Sequence, residues 1–249
     1  MRTLPRTGLA LALVFVTSAF AQDTALTRTE VAAIRAKLVT VQQAMGEPAG
    51  YLKESEDFSL PTDFNPAQAG KYWPITSGIS MRFTDRAAAE GAANAEQAGA
   101  DFQQRYLAAI ASGDAAAMQR ALEELQRLQT AALTPTTRKE PLQAYVQFNM
   151  NPSVGIDPET VVLEKPGVIA LRDKQLNSDK GQVTVYLDPV ALKATQELAK
   201  FELRTDQNGV GNRTGLYHIV IVTNGALTDL EAWVESFDYA AMLGVIDAR

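Results

Sequence analysis

Between Gly215 and Gly225 the chain runs through Leu216, Tyr217, His218, Ile219, Val220, Ile221, Val222, Thr223 and Asn224 without a charged residue. β-Branched and aromatic residues fill both parities, with Leu216, His218, Val220 and Val222 on one side and Tyr217, Ile219, Ile221 and Thr223 on the other. A strand apolar on both faces is covered on both faces, so 215–225 belongs near the middle of a sheet, with glycines marking its ends. That requirement constrains the fold more than any other feature of the sequence.

Shorter patterns supply the neighbours. Residues 144–150 alternate Ala144, Val146, Phe148 and Met150 with Tyr145, Gln147 and Asn149, a half-buried strand stopped by Asn151 and Pro152. Residues 161–163 and 168–171 flank a turn signal, Glu164, Lys165, Pro166 and Gly167, and are expected to pair as a hairpin. Residues 182–187 form another strand, and Asp188 with Pro189 opens a short helix carrying Leu192, Thr195, Leu198 and Ala199. Residues 201–205 alternate and are expected to pair with 215–225. Thr228 and Glu231 cap a last helix whose apolar face, Leu230, Trp233, Val234, Phe237 and Met242, is suited to cover the sheet.

The N-terminal half is helical. Thr27 and Glu30 form a capping box ahead of Val31, Ile34, Leu38, Val41 and Met45. Thr84 and Asp85 cap a second helix to about Ala111, whose first half is small, with Gly91, Ala95 and Gly99 at intervals of four. Two glycines in a helix cost about 1 kcal/mol each, which predicts close approach of another backbone. Its second half, Phe102, Tyr106, Leu107 and Ile110, is expected to face a core. Ser112, Gly113 and Asp114 turn the chain into a third helix with the stripe Met118, Leu122, Leu125, Leu128 and Ala132, and Glu123 with Arg127 on its outer side. The two make an αα-hairpin.

Between 49 and 83 periodicity is lost, yet Tyr51, Phe58, Phe64, Tyr72, Trp73 and Phe83 fall there, too many rings for a disordered linker. Residues 79–83 alternate as a short strand. Either the rings plug gaps over the core or they form a binding lip, and Tyr51, Tyr72 and Trp73 are the candidate contacts for a ligand or partner.

The expected architecture is α+β: N-terminal helices including an αα-hairpin, then an antiparallel or mixed sheet of about five to six strands covered by a C-terminal helix. Residues 1–21 read as a signal peptide, with Arg2 and Arg6, an apolar run over 9–16, and small residues Ala19 and Ala21. The helical half spans 22–133 and the strand-rich half 134–249, packed as one unit. The expected location is a bacterial periplasm or the extracellular space, with no membrane insertion once the leader is removed, since no later stretch holds the roughly 18 apolar residues a span needs.

Chemistry is narrowed by what the chain lacks. It has no cysteine, which removes thiol nucleophiles, disulfides and thiolate metal sites, and one histidine, His218, whose place in an apolar strand suits a hydrogen-bonded structural ring. No serine sits in a Gly-x-Ser-x-Gly elbow. The loop from Asp206 resembles a calcium loop only superficially, because Val210 and Tyr217 stand where oxygen ligands belong. No metal site or cofactor is expected. The net charge is −6, becoming −8 without the two arginines of the leader, and no basic run exceeds Arg138 and Lys139, which argues against a nucleic-acid partner. Two functions stay open: a non-catalytic protein that binds a small molecule or an envelope protein, or a hydrolase of envelope polymers using two of Asp157, Glu159, Glu164 and Asp188.

Overall fold

The capping box closes as its spacing requires. Thr27 Oγ1 accepts the Glu30 N–H at 3.2 Å and Glu30 Oε2 accepts the Thr27 N–H at 2.7 Å, opening α1 (Arg28–Met45). There follow β1 (Tyr51–Ser59), β2 (Ser77–Asp85), α2 (Arg86–Ser112), α3 (Ala115–Ala132), β3 (Leu142–Phe148), β4 (Ser153–Gly155), β5 (Val161–Lys165), β6 (Val168–Lys174), β7 (Lys180–Leu187), β8 (Lys200–Glu202), β9 (Ile219–Ala226), α4 (Leu227–Glu235) and α5 (Tyr239–Gly244). The structure, a computed structural model, describes residues 25–62, 76–132, 138–150, 153–174, 179–193, 199–204 and 213–247, without the side chains of 128–132 and 174.

Seven strands form one antiparallel sheet in the order β1-β2-β3-β9-β7-β6-β5. Two consecutive meanders, β1-β2-β3 and β5-β6-β7, are joined only through β9, which pairs with β3 on one edge and β7 on the other. Ile219 and Ile221 of β9 join Val146, Phe148, Val183, Val185 and Leu187 in a core roofed by Leu38 and Val41 of α1, Leu230, Trp233 and Val234 of α4 and Met242 of α5. Its other parity, Val220 and Val222, packs with Ile169, Leu171, Tyr186, Leu192, Phe201 and Leu203 beneath a second small layer in which β4 pairs with β8. This layer stops short of β1 to β3, where Tyr145 is 39% exposed. The middle strand is thus double-sided and β3 single-sided, as their residue patterns predict.

Several expectations are corrected. The sheet has seven strands rather than five or six, because β1 and β2 come from the half expected to be helical. β1 escapes pattern reading because Lys53, Glu54, Ser55, Glu56 and Asp57 are all exposed, leaving only Tyr51 and Phe58 to mark its apolar side. Residues 201–202 pair with β4 instead of 215–225, whose two edges are already filled. Asp188 accepts from Val190 and Ala191 N–H in a single turn rather than a helix over its described part, and 194–198 lie outside the described residues. α4 begins at Leu227 without a side-chain cap, and the chain breaks before α5, where Asp238 accepts the Ala241 N–H.

Gly225 tests the central pairing. Its φ of +148° is one that side chains rarely adopt, and a Cβ there would lie 2.3 Å from Leu142 Cδ2. Gly225→Ala should lower unfolding free energy by about 2 kcal/mol or more in urea titration, from backbone strain together with displacement of a core leucine.

Candidate functional site

His218 lies just before β9, fully buried, its Nδ1 2.7 Å from the Arg204 carbonyl and its Nε2 hydrogen-bonded to the Met150 carbonyl. Around it the polar groups answer one another. Asn149, in the left-handed region at φ 56°, donates Nδ2–H to the Gly215 carbonyl and accepts the Tyr217 N–H. Asp188 is fully buried and accepts three backbone N–H groups, from Val190, Ala191 and Arg204, at 2.6 to 3.0 Å. Arg204 donates from Nη2 to the carbonyls of Tyr217 and Asp247, and its Nε lies 3.8 Å from Asp188 Oδ1. These contacts tie the β4–β8 layer and the C-terminal segment to the start of β9. Backbone donors thus occupy the Asp188 carboxylate, and the cluster links segments far apart in the chain.

Burial is the main influence on His218 and lowers its pKa from the ordinary 6.5, while the Arg204 carbonyl and Asp188 oppose it. The unfolded ring binds a proton near pH 6.5 and the folded ring only at lower pH, so stability falls as pH drops from about 7 through the folded midpoint. With one histidine in the chain, its ring Cε1–H resonance in proton NMR reads this directly. We expect its midpoint below 6.5, and a midpoint above it would show that the surrounding carbonyls and Asp188 outweigh burial.

Tyr51, a candidate contact residue, is fully buried. Its hydroxyl donates to Asp229 Oδ2 at 2.9 Å, which with burial raises its pKa, and Lys139 Nζ lies over the ring and pairs with Asp229 Oδ1 at 3.0 Å. Tyr51 therefore clasps β1 to α4 beside the segment leading into β3. Tyr51→Phe should cost about 1 kcal/mol of stability in denaturant titration, the net worth of one hydrogen bond. Tyr72 and Trp73, the other two candidates, lie outside the described residues, as do Phe64 and the loop 205–212.

Of the four candidate carboxylates, two accept backbone N–H groups and two lie at the surface. Asp157 accepts the Glu159 N–H in a turn at the head of β5, and Asp188 is occupied as described. Glu159 and Glu164 are exposed, the first just before β5 and the second within it. Among the described residues Glu30, Glu56 and Asp85 are held below the ordinary carboxylate range, each chiefly by hydrogen bonds. No group of three potential metal-ligating side chains occurs among the described residues, and no helix there is long and apolar enough to cross a membrane.

What the sequence reading missed is the exposure of α2 and α3. Asp85 caps α2 through the Ala87 and Ala88 N–H groups and also accepts the Lys139 N–H at 2.8 Å, pinning both ends of the hairpin to the sheet. Beyond that base the hairpin stands clear as an arm. Along its described side chains only Ala109 and Ala121 are buried, while Leu107, Ile110 and Leu122 are 58%, 50% and 49% exposed. Among the described residues no atom outside the helix's own nearby backbone would lie within 4 Å of a Cβ at Gly91 or Gly99, so the expected close approach of another backbone is not made by any of them.

Helical steps of 100° from the two buried alanines, Ala109 and Ala121, sort the remaining side chains. Phe102, Tyr106 and Ile110 of α2 fall on the same side of the arm as Met118, Leu122 and Leu125 of α3, with Leu107 at the outer edge and the Phe102 and Tyr106 rings stacked at 5.7 Å. Arg105, Ser112, Arg120 and Glu124 line a groove on the opposite side, where Arg105 and Glu124 pair at 2.8 Å. The arm is amphipathic as a unit: one charged side, and one apolar side open to solvent.

No known protein-family model, curated protein or solved structure matches this chain.

Proposed function

We propose that this chain is an exported, non-catalytic interaction protein of a bacterial envelope, and that the apolar face of the α2–α3 arm is the surface through which it engages a protein partner. Export is supported by the order of basic stub, apolar run and small residues at the N-terminus. The observation that carries the binding role is the exposure of Leu107, Ile110 and Leu122 beside Phe102, Tyr106 and Met118 on one side of a projecting element. An apolar patch of this kind, rimmed by polar residues, marks an interaction site. Fully burying a leucine or isoleucine is worth roughly 1.5–3 kcal/mol, and these side chains are about half open, so covering three of them offers roughly 1 kcal/mol each. The arm's only buried described side chains are alanines, so it gains little from its own packing. An enzymatic reading finds no comparable support in the carboxylates described above.

The test is whether the face is spare. Glu at Ile110 and Leu122 together should leave the far-ultraviolet circular dichroism spectrum unchanged and, at about 1 μM protein, shift unfolding free energy by less than about 0.5 kcal/mol per site, as substitutions at solvated positions do. A loss above about 2 kcal/mol would mean that the face is covered within the chain itself, and the reading would fail.

A further inference from the structure

We infer that the occupant of the arm's apolar face is the same face of a second copy of this chain, the two hairpins stacking as the halves of a four-helix bundle. The inference rests on the reading of that face as a docking surface and names what docks there.

Three observations converge on a copy rather than a different partner. First, of the six charges between Gly99 and Arg127, Asp114 lies in the turn between the helices and the five on the helices, Asp101, Arg105, Arg120, Glu123 and Glu124, fall by helical spacing on the far side of the arm, where Arg105 meets Glu124. The residues bordering the apolar stripe are glutamines: Gln103 on α2, and Gln119 and Gln126 on α3. In a chain of net charge −6 two copies repel over most of their surfaces, and the stripe of large side chains is one on which they meet without a like charge, Glu96 bordering only its small-residue base.

Second, two helices side by side make a single layer, which has no interior until a second layer is laid on it. The face is built from both helices at comparable depth, Phe102, Tyr106 and Ile110 opposite Met118, Leu122 and Leu125, so a layer of the same width and length fits it. A two-fold axis through the face supplies one, and each side chain then contributes to both halves of the interface.

Third, towards its base the face continues in small residues, Ala92, Ala95 and Gly99, and among the described residues no atom beyond the helix's own nearby backbone would lie within 4 Å of a Cβ at Gly99. Small side chains let a facing helix come close at the base while the large ones interdigitate near the tip, and this returns some of the stability that glycine takes from a helix.

The experiment is analytical ultracentrifugation of the protein expressed from its full-length sequence and purified, over about 1 to 200 μM, a range that brackets the affinity expected of a modest interface. The expected result is a reversible monomer–dimer equilibrium. Ile110→Glu with Leu122→Glu should weaken it roughly 100-fold, as loss of central apolar contacts does, and mixing that variant with one carrying Ile110→Lys and Leu122→Lys should restore the dimer mass through opposite charge. A wild-type chain that stays monomeric at 200 μM, or a dimer that survives the double Glu substitution, overturns the inference. If the monomeric result comes with a double Glu variant that is fully stable, only the identity of the occupant is lost. If the variant is itself destabilised at 1 μM, the docking surface is lost with it.

Discussion

A backbone removed from water on both faces has only its two edges through which to satisfy its N–H and C=O groups, and β9 is held in that condition. The core beneath α1, α4 and α5 takes Ile219 and Ile221, and the layer of β4 and β8 takes Val220. Both edges of β9 must then be paired, and β3 and β7 pair them. Each meander has a hydrogen-bonding partner at its inner edge only because β9 lies between them. The buried polar groups before β9, namely Asn149, Asp188 and His218, with the half-buried Arg204, fix where the strand enters and so set the register of both halves. The fold is one sheet because of one strand.

How much of this is legible in the sequence depends on how each residue is exposed. The double-sided strand, the alternating β3, the β5–β6 hairpin and α1 with its capping box all follow from pattern, because in each the apolar residues face something within the chain. β1 is illegible for the opposite reason: a run from Lys53 to Asp57 on an outer strand carries no apolar alternation, and its place is given by pairing with β2, which sequence spacing does not encode. The turn after Asp188 imitates a helix start since the same carboxylate-to-N–H bonds serve both. β8 finds β4 rather than β9 for a topological reason, the central strand having no free edge.

The candidate site separates along the same line. His218 reads as structural from its apolar surroundings and is buried among carbonyls. Tyr51 is indistinguishable by sequence from a surface ring, and only the position of Asp229 on α4 shows it to be a clasp. For the arm the pattern is correct and its interpretation inverted. Spacing identifies the stripe through Tyr106, Ile110 and Leu122, but periodicity reports that a helix has an apolar side and is silent on whether the same chain covers it.

The arm occupies the connection between β2 and β3, which are adjacent and antiparallel, with Phe83 opposite Leu142. In the wiring of the sheet it is therefore only the loop of a hairpin. The entropy of closing such a loop changes slowly with its length, about 0.6 kcal/mol for each doubling, so the sheet is nearly indifferent to whether that loop holds five residues or fifty. Helical turns can be added to or removed from the arm in pairs, one on each helix, and its surface rewritten, with Asp85 and Lys139 still closing the base. The length and surface of the arm are thus decoupled from the packing that keeps the sheet folded, and a change in one leaves the other as it was.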